Sequence, residues 1–328
     1  MPTQPVYTQN KEKKPLVSFI VTYCNEPIAM LKECLRSILA LSLNESERQI
    51  IIVDDGSDLS PINELITLTD NIIYVRQPNR GLSRARNRGM ELAEGRFIQF
   101  VDADDYLIRT PYEHCLDIMR YETPDLVFFN STDNPKGNMP LHFDGPMDGT
   151  SYLRHHSLRA AAWGYLFRRQ ILGQLRFREG IYHEDEEFTP QLLLRVERVF
   201  VTNADAYYYR RRKDSITQKR DIRTRVKRLK DLESVILRLN RLSHSGPLVD
   251  GEALQRRVSQ LTMDYLYNVI LQTRSVHQLE KSVARLRKAG LFPLPDKAYT
   301  QKYQWFRRLS SRPIGRMLLC RLLPHIAS

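Results

Sequence analysis

Arg96–Leu107 reads RFIQFVDADDYL. Its first half, Arg96–Val101, is a short run of apolar, aromatic and β-branched residues, which predicts a strand buried on both faces. The run stops at Asp102-Ala103-Asp104-Asp105, three acids delivered at the end of a hydrophobic strand. Upstream, the same kind of run recurs at Leu16–Thr22 (LVSFIVT), Gln49–Val53 (QIIIV) and Ile72–Arg76 (IIYVR). Between these runs, Met30–Leu41, Ile62–Leu68 and Ser83–Ala93 repeat apolar residues at helical spacing. The order β-α-β-α-β-α-β predicts an α/β chain built on a doubly wound, mostly parallel sheet. Ligands of such sheets bind beyond the carboxyl ends of the strands. The residues placed there are Thr22-Tyr23-Cys24-Asn25-Glu26, Asp54-Asp55 and Asp102–Asp105, so one rim gathers polar and acidic groups.

Downstream the pattern predicts a strand at Asp125–Asn130, then a long loop over 131–150 rich in Gly, Pro, Asn and Asp. Segments of that length without periodicity are often lids or binding loops. A helix is expected over Ala160–Leu175. A second, Gln191–Val199, would be capped by Thr189 with Pro190 in its first turn. Phe200–Tyr209 reads as β, and from about residue 219 the chain is helical and basic, with breaks at Ser243–Gly246 and Phe292–Pro295.

The charge supports that division. The chain carries 50 Lys/Arg against 38 Asp/Glu. Residues 219–328 hold 23 basic and 8 acidic residues, about +15, whereas the first 218 hold 27 and 30, about −3. A neutral body with a basic C-terminal region suggests an anionic neighbour: phospholipid, polyanionic glycan or nucleic acid. The four cysteines are scattered without CxxC spacing, which fits a reducing compartment better than a zinc site or disulfide framework. The lead, residues 1–14, is expected to be disordered. It lacks the apolar core of a secretory signal, and no apolar run reaches the roughly 18–20 residues of a transmembrane helix. A cytoplasmic protein is expected, one that would lie on a membrane rather than cross it.

Asp102-Ala103-Asp104 is the strongest chemical signal. Acid-x-acid pairs are common in surface turns, but here a buried strand carries the pair to the ligand rim. When a sugar leaves a nucleoside diphosphate, negative charge grows on the phosphates, and a hard divalent cation held by carboxylates neutralises it. Asp54-Asp55-Gly-Ser is either an ordinary turn whose acids cap the next helix or a nucleoside site, with a carboxylate on the base and Thr22 and Glu26 beside it. Asn79–Gly89 (NRGLSRARNRG) feeds a helix whose first turns carry arginines, including Arg86, and both features suit phosphate; any single arginine there also reads as a solvated face.

The ordered set VSFIVTYCNE, IIVDDGSD, NRGLSRARNRG and GRFIQFVDADDYL resembles the nucleotide-binding half of family 2 glycosyltransferases. The resemblance is dense over residues 16–107 and looser through Trp163–Arg169, Tyr182–Asp185 and Tyr207–Thr217. It implies a GT-A fold, an inverting transfer and a nucleotide-sugar donor, usually a UDP-sugar. The donor-binding residues expected are Thr22, Tyr23, Asn25, Glu26, Asp54, Asp55, Asn79, Arg86, Asp102, Ala103 and Asp104, of which the resemblance itself maps Asp55 with Asp54, Asp102 and Asp104. Asp102 lies in the ribose and metal neighbourhood, and Asp104 takes Mn2+ or Mg2+. The catalytic base falls at Glu184-Asp185, with Asp185 favoured, and local physics agrees, since the pair precedes a helix whose positive end favours a carboxylate. Tyr207–Arg212 with Ser215–Thr217 resembles the family segment that closes over the diphosphate. A catalytic unit is then expected over 15–218, divided into a nucleotide-binding half, 15–107, and an acceptor half, 108–218. A basic helical region, 219–328, follows.

The acceptor implied is a glycan or lipid-linked saccharide of surface polysaccharide assembly. Trp305–Arg308 and Arg316–Leu323 mix apolar and basic residues, as would either a helix on an anionic membrane or one covering its own core. Gln301–Trp305 only superficially matches the acceptor motif of processive synthases, since Gln304 stands where that motif has Arg. A nucleotidyltransferase would need a glycine-rich loop at 22–27, where there is none. A nucleic-acid binder would need a recognition motif that the sequence lacks. A degenerate scaffold of the same fold is the remaining alternative, against which stand Asp55, Asp104 and Asp185.

Overall fold

The computed structural model describes residues 14–68, 71–135, 140–212 and 221–326. The expected disordered lead (Lys14 apart) and Ser215–Thr217 lie outside the described residues.

Among the described residues nine strands form one mixed sheet: β1 (Val17–Tyr23), β2 (Arg48–Asp55), β3 (Ile73–Gln77), β4 (Phe97–Asp102), β5 (Tyr106–Leu107), β6 (Leu126–Thr132), β7 (Phe143–Met147), β8 (Tyr165–Arg168) and β9 (Val199–Tyr208). The order is β3-β2-β1-β4-β8-β6-β9-β5, and β7 pairs with β9. The four strands read from the sequence run parallel, β3-β2-β1-β4, and β8 then enters antiparallel between β4 and β6. Every residue of β1 is buried, as a strand covered on both faces requires.

Helices α1 (Ile28–Leu39), α2 (Ile62–Leu65), α3 (Leu82–Leu92), α4 (Arg109–Tyr121), α5 (Gly149–His155) and α6 (Glu184–Leu193) flank the sheet. One core layer packs α1 and α4, through Leu31, Leu35, Ile38, Tyr112 and Leu116, on one face. The other sets α3, α5 and α6 against Ile20, Ile51, Ile98 and Phe167. The approach of α3 is unusually close: a Cβ on Gly89 would lie 2.2 Å from Ile20 Cγ2.

Three local expectations fail. Ala160–Leu175 is two 3₁₀ turns, Ala162–Gly164 and Arg169–Leu172, around strand β8, because Tyr165, Leu166 and Phe167 fill the sheet interior. The 131–150 segment is not all loop, since it contains β7 and the start of α5. The helix placed at Gln191–Val199 instead runs Glu184–Leu193, so Thr189 and Pro190 lie inside it and neither caps it. Four consecutive acids in its first turn suit the positive end of the helix dipole, an earlier start than the proline suggested.

The basic region folds as α7 (Ile222–Leu242), α8 (Leu248–Thr273), α9 (Val276–Lys288), α10 (Gln301–Ser310) and α11 (Pro313–Ile326) around a core of its own. It is not an independent appendage, because Ala253 of α8 belongs to the core beneath α5 and α6.

The Gly89 contact supplies a test of the α3–β1 packing. Gly89→Ala should lower unfolding free energy by about 1–3 kcal/mol, read as a reduced urea midpoint. An unchanged midpoint would show that α3 stands off the sheet.

Candidate active site

Parallel register aligns the carboxyl ends of three strands: Thr22 lies beside Val53 on one side and Asp102 on the other, with Tyr23 beside Asp54. The Asp54–Asp55 pair is strongly tied to the protein. Asp54 accepts from the Ser57 N–H (2.8 Å) and the Tyr74 hydroxyl (2.7 Å). Asp55 accepts from Gln77 Nε2 (2.8 Å) and from the N–H groups of Arg80 (2.9 Å) and Gly81 (2.7 Å), which pins the loop entering α3. Each carboxylate keeps spare acceptor capacity, so ordering the loop does not exclude reading a base. Asn25, at φ 64°, links the neighbouring loops by donating to Ser57 Oγ (3.1 Å) and accepting from the Asp58 N–H (2.8 Å). Asn79 donates to Cys24 Sγ at 3.2 Å.

The centre of the arrangement is Arg86, 3% exposed on α3. Its guanidinium donates to Asp102 Oδ1 (3.2 Å) and to Glu184 Oε1 (2.8 Å), and lies over the rings of Phe100 and Phe177. Burial opposes the charge, but Asp102 and Glu184 more than offset it and hold Arg86 above its usual range. The next residue repeats the link: the Asn87 side chain exchanges two 2.9 Å hydrogen bonds with the Phe177 backbone. Phe177 in turn stacks on Phe188 of α6 at 3.9 Å. Helix α3 thus holds the segment that leads to the Glu184–Asp185 pair.

From the far side the basic bundle braces α6. Arg257 of α8 pairs with Glu186, and Arg238 of α7 with Glu187 at 3.0 Å, while Arg178 reaches Glu187 at 2.8 Å. Asp231 of α7 accepts the Tyr182 N–H at 2.9 Å. Among the described residues Asp185 is thereby left without a cation of its own. Burial, then Glu184 and Glu186, raise its carboxyl well above the ordinary range, against the pull of Arg86.

Around Asp104 the chain supplies cations from the segment after β9. Arg212 pairs with Asp104 Oδ2 at 2.6 Å. Arg210 donates through its N–H to Asp105 (2.7 Å) and through its side chain to the Asp104 carbonyl (2.9 Å) and Glu33 (2.6 Å). Burial pushes Glu26 up to about 7 and Asp105 up to about 8, the latter helped by Asp102. Among the described residues no three His, Cys, Asp or Glu gather as a closed metal cage. The fit is to a cation held by one or two carboxylates and completed by substrate phosphates: Asp102 and Asp104 both stand at the end of β4, and each already has a cationic partner, Arg86 for Asp102 and Arg212 for Asp104.

The sequence model of the family described as Glycosyl transferase family 2 matches residues 18–173. Over those residues, just under half of the chain, the sequence is similar to the family 2 glycosyltransferases. It is 33% identical over 222 residues to the uncharacterized glycosyltransferase EpsJ of Bacillus subtilis, covering 62% of this chain and 63% of that protein, less than two thirds of its length. The fold matches S. aureus TarS 1-349 in complex with UDP-GlcNAc (TM-score 0.55, 17% identity, 89% of this chain and 90% of that one). It also matches the mannosyltransferase PcManGT of Pyrobaculum calidifontis in complex with GDP-Man and Mn2+ (TM-score 0.57, 16% identity, 94% and 88%). These likenesses show the GT-A fold, a mostly parallel mixed sheet with flanking helices, here followed by helices α7–α11.

Against the expectations carried over from the family, the structure brings Thr22, Tyr23, Glu26, Asp54, Asp102, Ala103 and Asp104 to one rim, with Asn25, Asp55 and Asn79 in the loops beside it. Arg86 lies beneath the rim, bonded to carboxylates, and not on the open face where a phosphate clamp would stand. Sequence reading missed Asp105 as a buried acid, Arg238 and Arg257 as braces, and the stack of Trp163 on Tyr207 (4.5 Å) and Tyr209 (5.6 Å). The arginines were visible only as bulk charge. Nothing in their spacing pointed to α6.

Two measurements check this electrostatic reading. Arg86→Met strands two half-buried carboxylates and should cost about 3–5 kcal/mol of stability, with part recovered on adding Glu184→Gln; additive losses in the double variant would contradict the bridge. In metal-free protein, Glu26 and Asp105 keep protons that the unfolded chain releases. Stability should therefore fall as pH rises from about 4 to about 8, and Asp105→Asn should flatten that decline in thermal midpoints.

Proposed function

We propose that the chain is an inverting glycosyltransferase that moves a sugar from a UDP-sugar to a glycan or lipid-linked glycan acceptor in surface polysaccharide assembly on the cytoplasmic side. The observation that carries this reading is the Arg86 bridge, which sets the donor-side Asp102–Asp104 turn and the Glu184–Asp185 pair on either side of one guanidinium. Residues 15–218 form the catalytic unit in this reading, with the nucleotide over 15–107 and the acceptor over 108–218. The 219–328 region braces α6.

Asp54 and Asp55 order the nucleoside loops and retain acceptor capacity for a base N–H. Asp104, with Asp102, would hold Mn2+ or Mg2+, which when bound neutralises the leaving diphosphate. Arg212 exchanges its partner Asp104 for phosphate oxygens. The acceptor hydroxyl oxygen attacks the anomeric carbon, the bond from that carbon to the phosphate oxygen breaks, and the hydroxyl proton passes to Asp185. Burial and the neighbouring acids raise the proton affinity of Asp185, which favours its taking that proton. Glu184, neutralised by Arg86, orients the turn and leaves the proton to Asp185.

The test is sugar transfer from a panel of UDP- and GDP-sugars by the purified chain. Asp185→Asn should lower kcat about 10²–10⁴-fold while UDP affinity stays put. Asp104→Ala should weaken metal-dependent UDP affinity about tenfold or more. Equal loss of UDP binding in both variants sinks the division of roles, and turnover of GDP-sugars alone replaces the donor.

A further inference from the structure

Helix α11 presents an inverted pattern. Its inner face carries Leu319, Cys320 and Leu323, and also Arg316, which is 3% exposed. Arg316 is held there by a two-pronged pair with Glu280 of α9 (2.6 and 3.0 Å) and by donation to the Ser310 carbonyl (2.9 Å). The outer face carries hydrophobic residues as well: Ile314 is 70% exposed, Met317 53%, Leu318 43% and Leu322 53%. These positions follow i, i+3, i+4, i+8, one stripe of a helix. Trp305 on the adjoining α10 is 45% exposed. Single exposed apolar residues are ordinary, but a contiguous stripe marks an interaction surface.

Charge selects the occupant. After Asp296 the chain has seven Lys/Arg and no Asp or Glu. Arg308, Arg312 and Arg321 are exposed on the same two helices and the turn between them. A symmetric contact with a second copy would set these arginines against themselves with no acid on either helix to compensate. A bilayer with anionic headgroups offers apolar depth for the stripe and negative charge for its rim. No described helix is long and apolar enough to cross a membrane, so the mode of contact is interfacial.

We propose that the outer face of α11, with Trp305 and the rim of Arg308, Arg312 and Arg321, docks the protein on an anionic lipid surface. The inference stands on residues outside the donor site and goes beyond the transferase reading, in which it would bring the enzyme to acceptors held at a membrane.

The test is flotation of the full chain, without nucleotide, on vesicles of equal parts phosphatidylglycerol and phosphatidylcholine, and on phosphatidylcholine alone. Wild type should float with the mixed vesicles and about tenfold less with phosphatidylcholine. Met317→Ser/Leu318→Ser/Leu322→Ser should lose binding about tenfold or more, with its thermal midpoint and nucleotide affinity retained. Arg308→Gln/Arg312→Gln/Arg321→Gln should lose the lipid preference and the salt sensitivity. Failure of wild type to float, or flotation unaffected by the triple serine variant, overturns the proposal. So does a concentration-dependent dimer, abolished by that variant, without vesicle binding. Because no nucleotide is present, failure here leaves the transferase reading untouched, and the reverse holds as well.

Discussion

A buried arginine needs partners. Arg86 finds them in Asp102 at the end of β4 and Glu184 at the start of α6, residues far apart in sequence. Removing the guanidinium from water is costly unless both charge and hydrogen bonds are satisfied, so the folded state is bound to bring these two elements together. The surroundings enforce the same geometry. Gly89 lets α3 approach β1, Phe100 and Phe177 flank the guanidinium plane, and Asn87 fixes the Phe177 backbone. What looks like a phosphate-facing arginine helix is, at its buried position, the strut between two halves of a site.

The second constraint comes from the C-terminal helices. Four acids in the first turn of α6 suit its dipole but repel one another. Their charge is shared among cations from three directions: Arg86 for Glu184, Arg257 for Glu186, and Arg178 with Arg238 for Glu187. Asp185 is left as the uncompensated member, with its carboxyl raised by burial and by Glu184. The raised carboxyl of Asp185 is therefore a property of the whole constellation, including helices that carry no catalytic motif. Their excess positive charge serves both inward, against α6, and outward along α10 and α11.

The parallel half of the sheet was legible because its strands are nearly continuous apolar runs, each ending at a polar residue. That pattern also located the acidic rim. Legibility declined where tertiary context overrode local signals. Tyr165–Phe167 looked helical in a mixed segment, yet an antiparallel gap between β4 and β6 demanded a strand. Pro190 suggested a helix start, but clustered acids placed it six residues earlier. Arg86 resembled its neighbours Arg84 and Arg88, which sit 30–39% exposed in surface pairs with Glu91. Only the register of α3 against β1 separates the buried arginine from the solvated ones. Arg316 was misleading in the same way, since its charge lies inside while Met317, Leu318 and Leu322 face out.

In the proposed transfer, Asp104 is where a cation and a diphosphate meet, with Arg86 holding the Glu184–Asp185 turn opposite. A crystal structure with UDP and Mn2+, using the manganese anomalous signal, examines both parts at once. The prediction is a single strong peak in contact with the Asp104 carboxylate, Arg212 moved from Asp104 to phosphate oxygens, and Arg86 still bonded to Asp102 and Glu184. A peak elsewhere on the chain, with Asp104 still paired to Arg212, would contradict it.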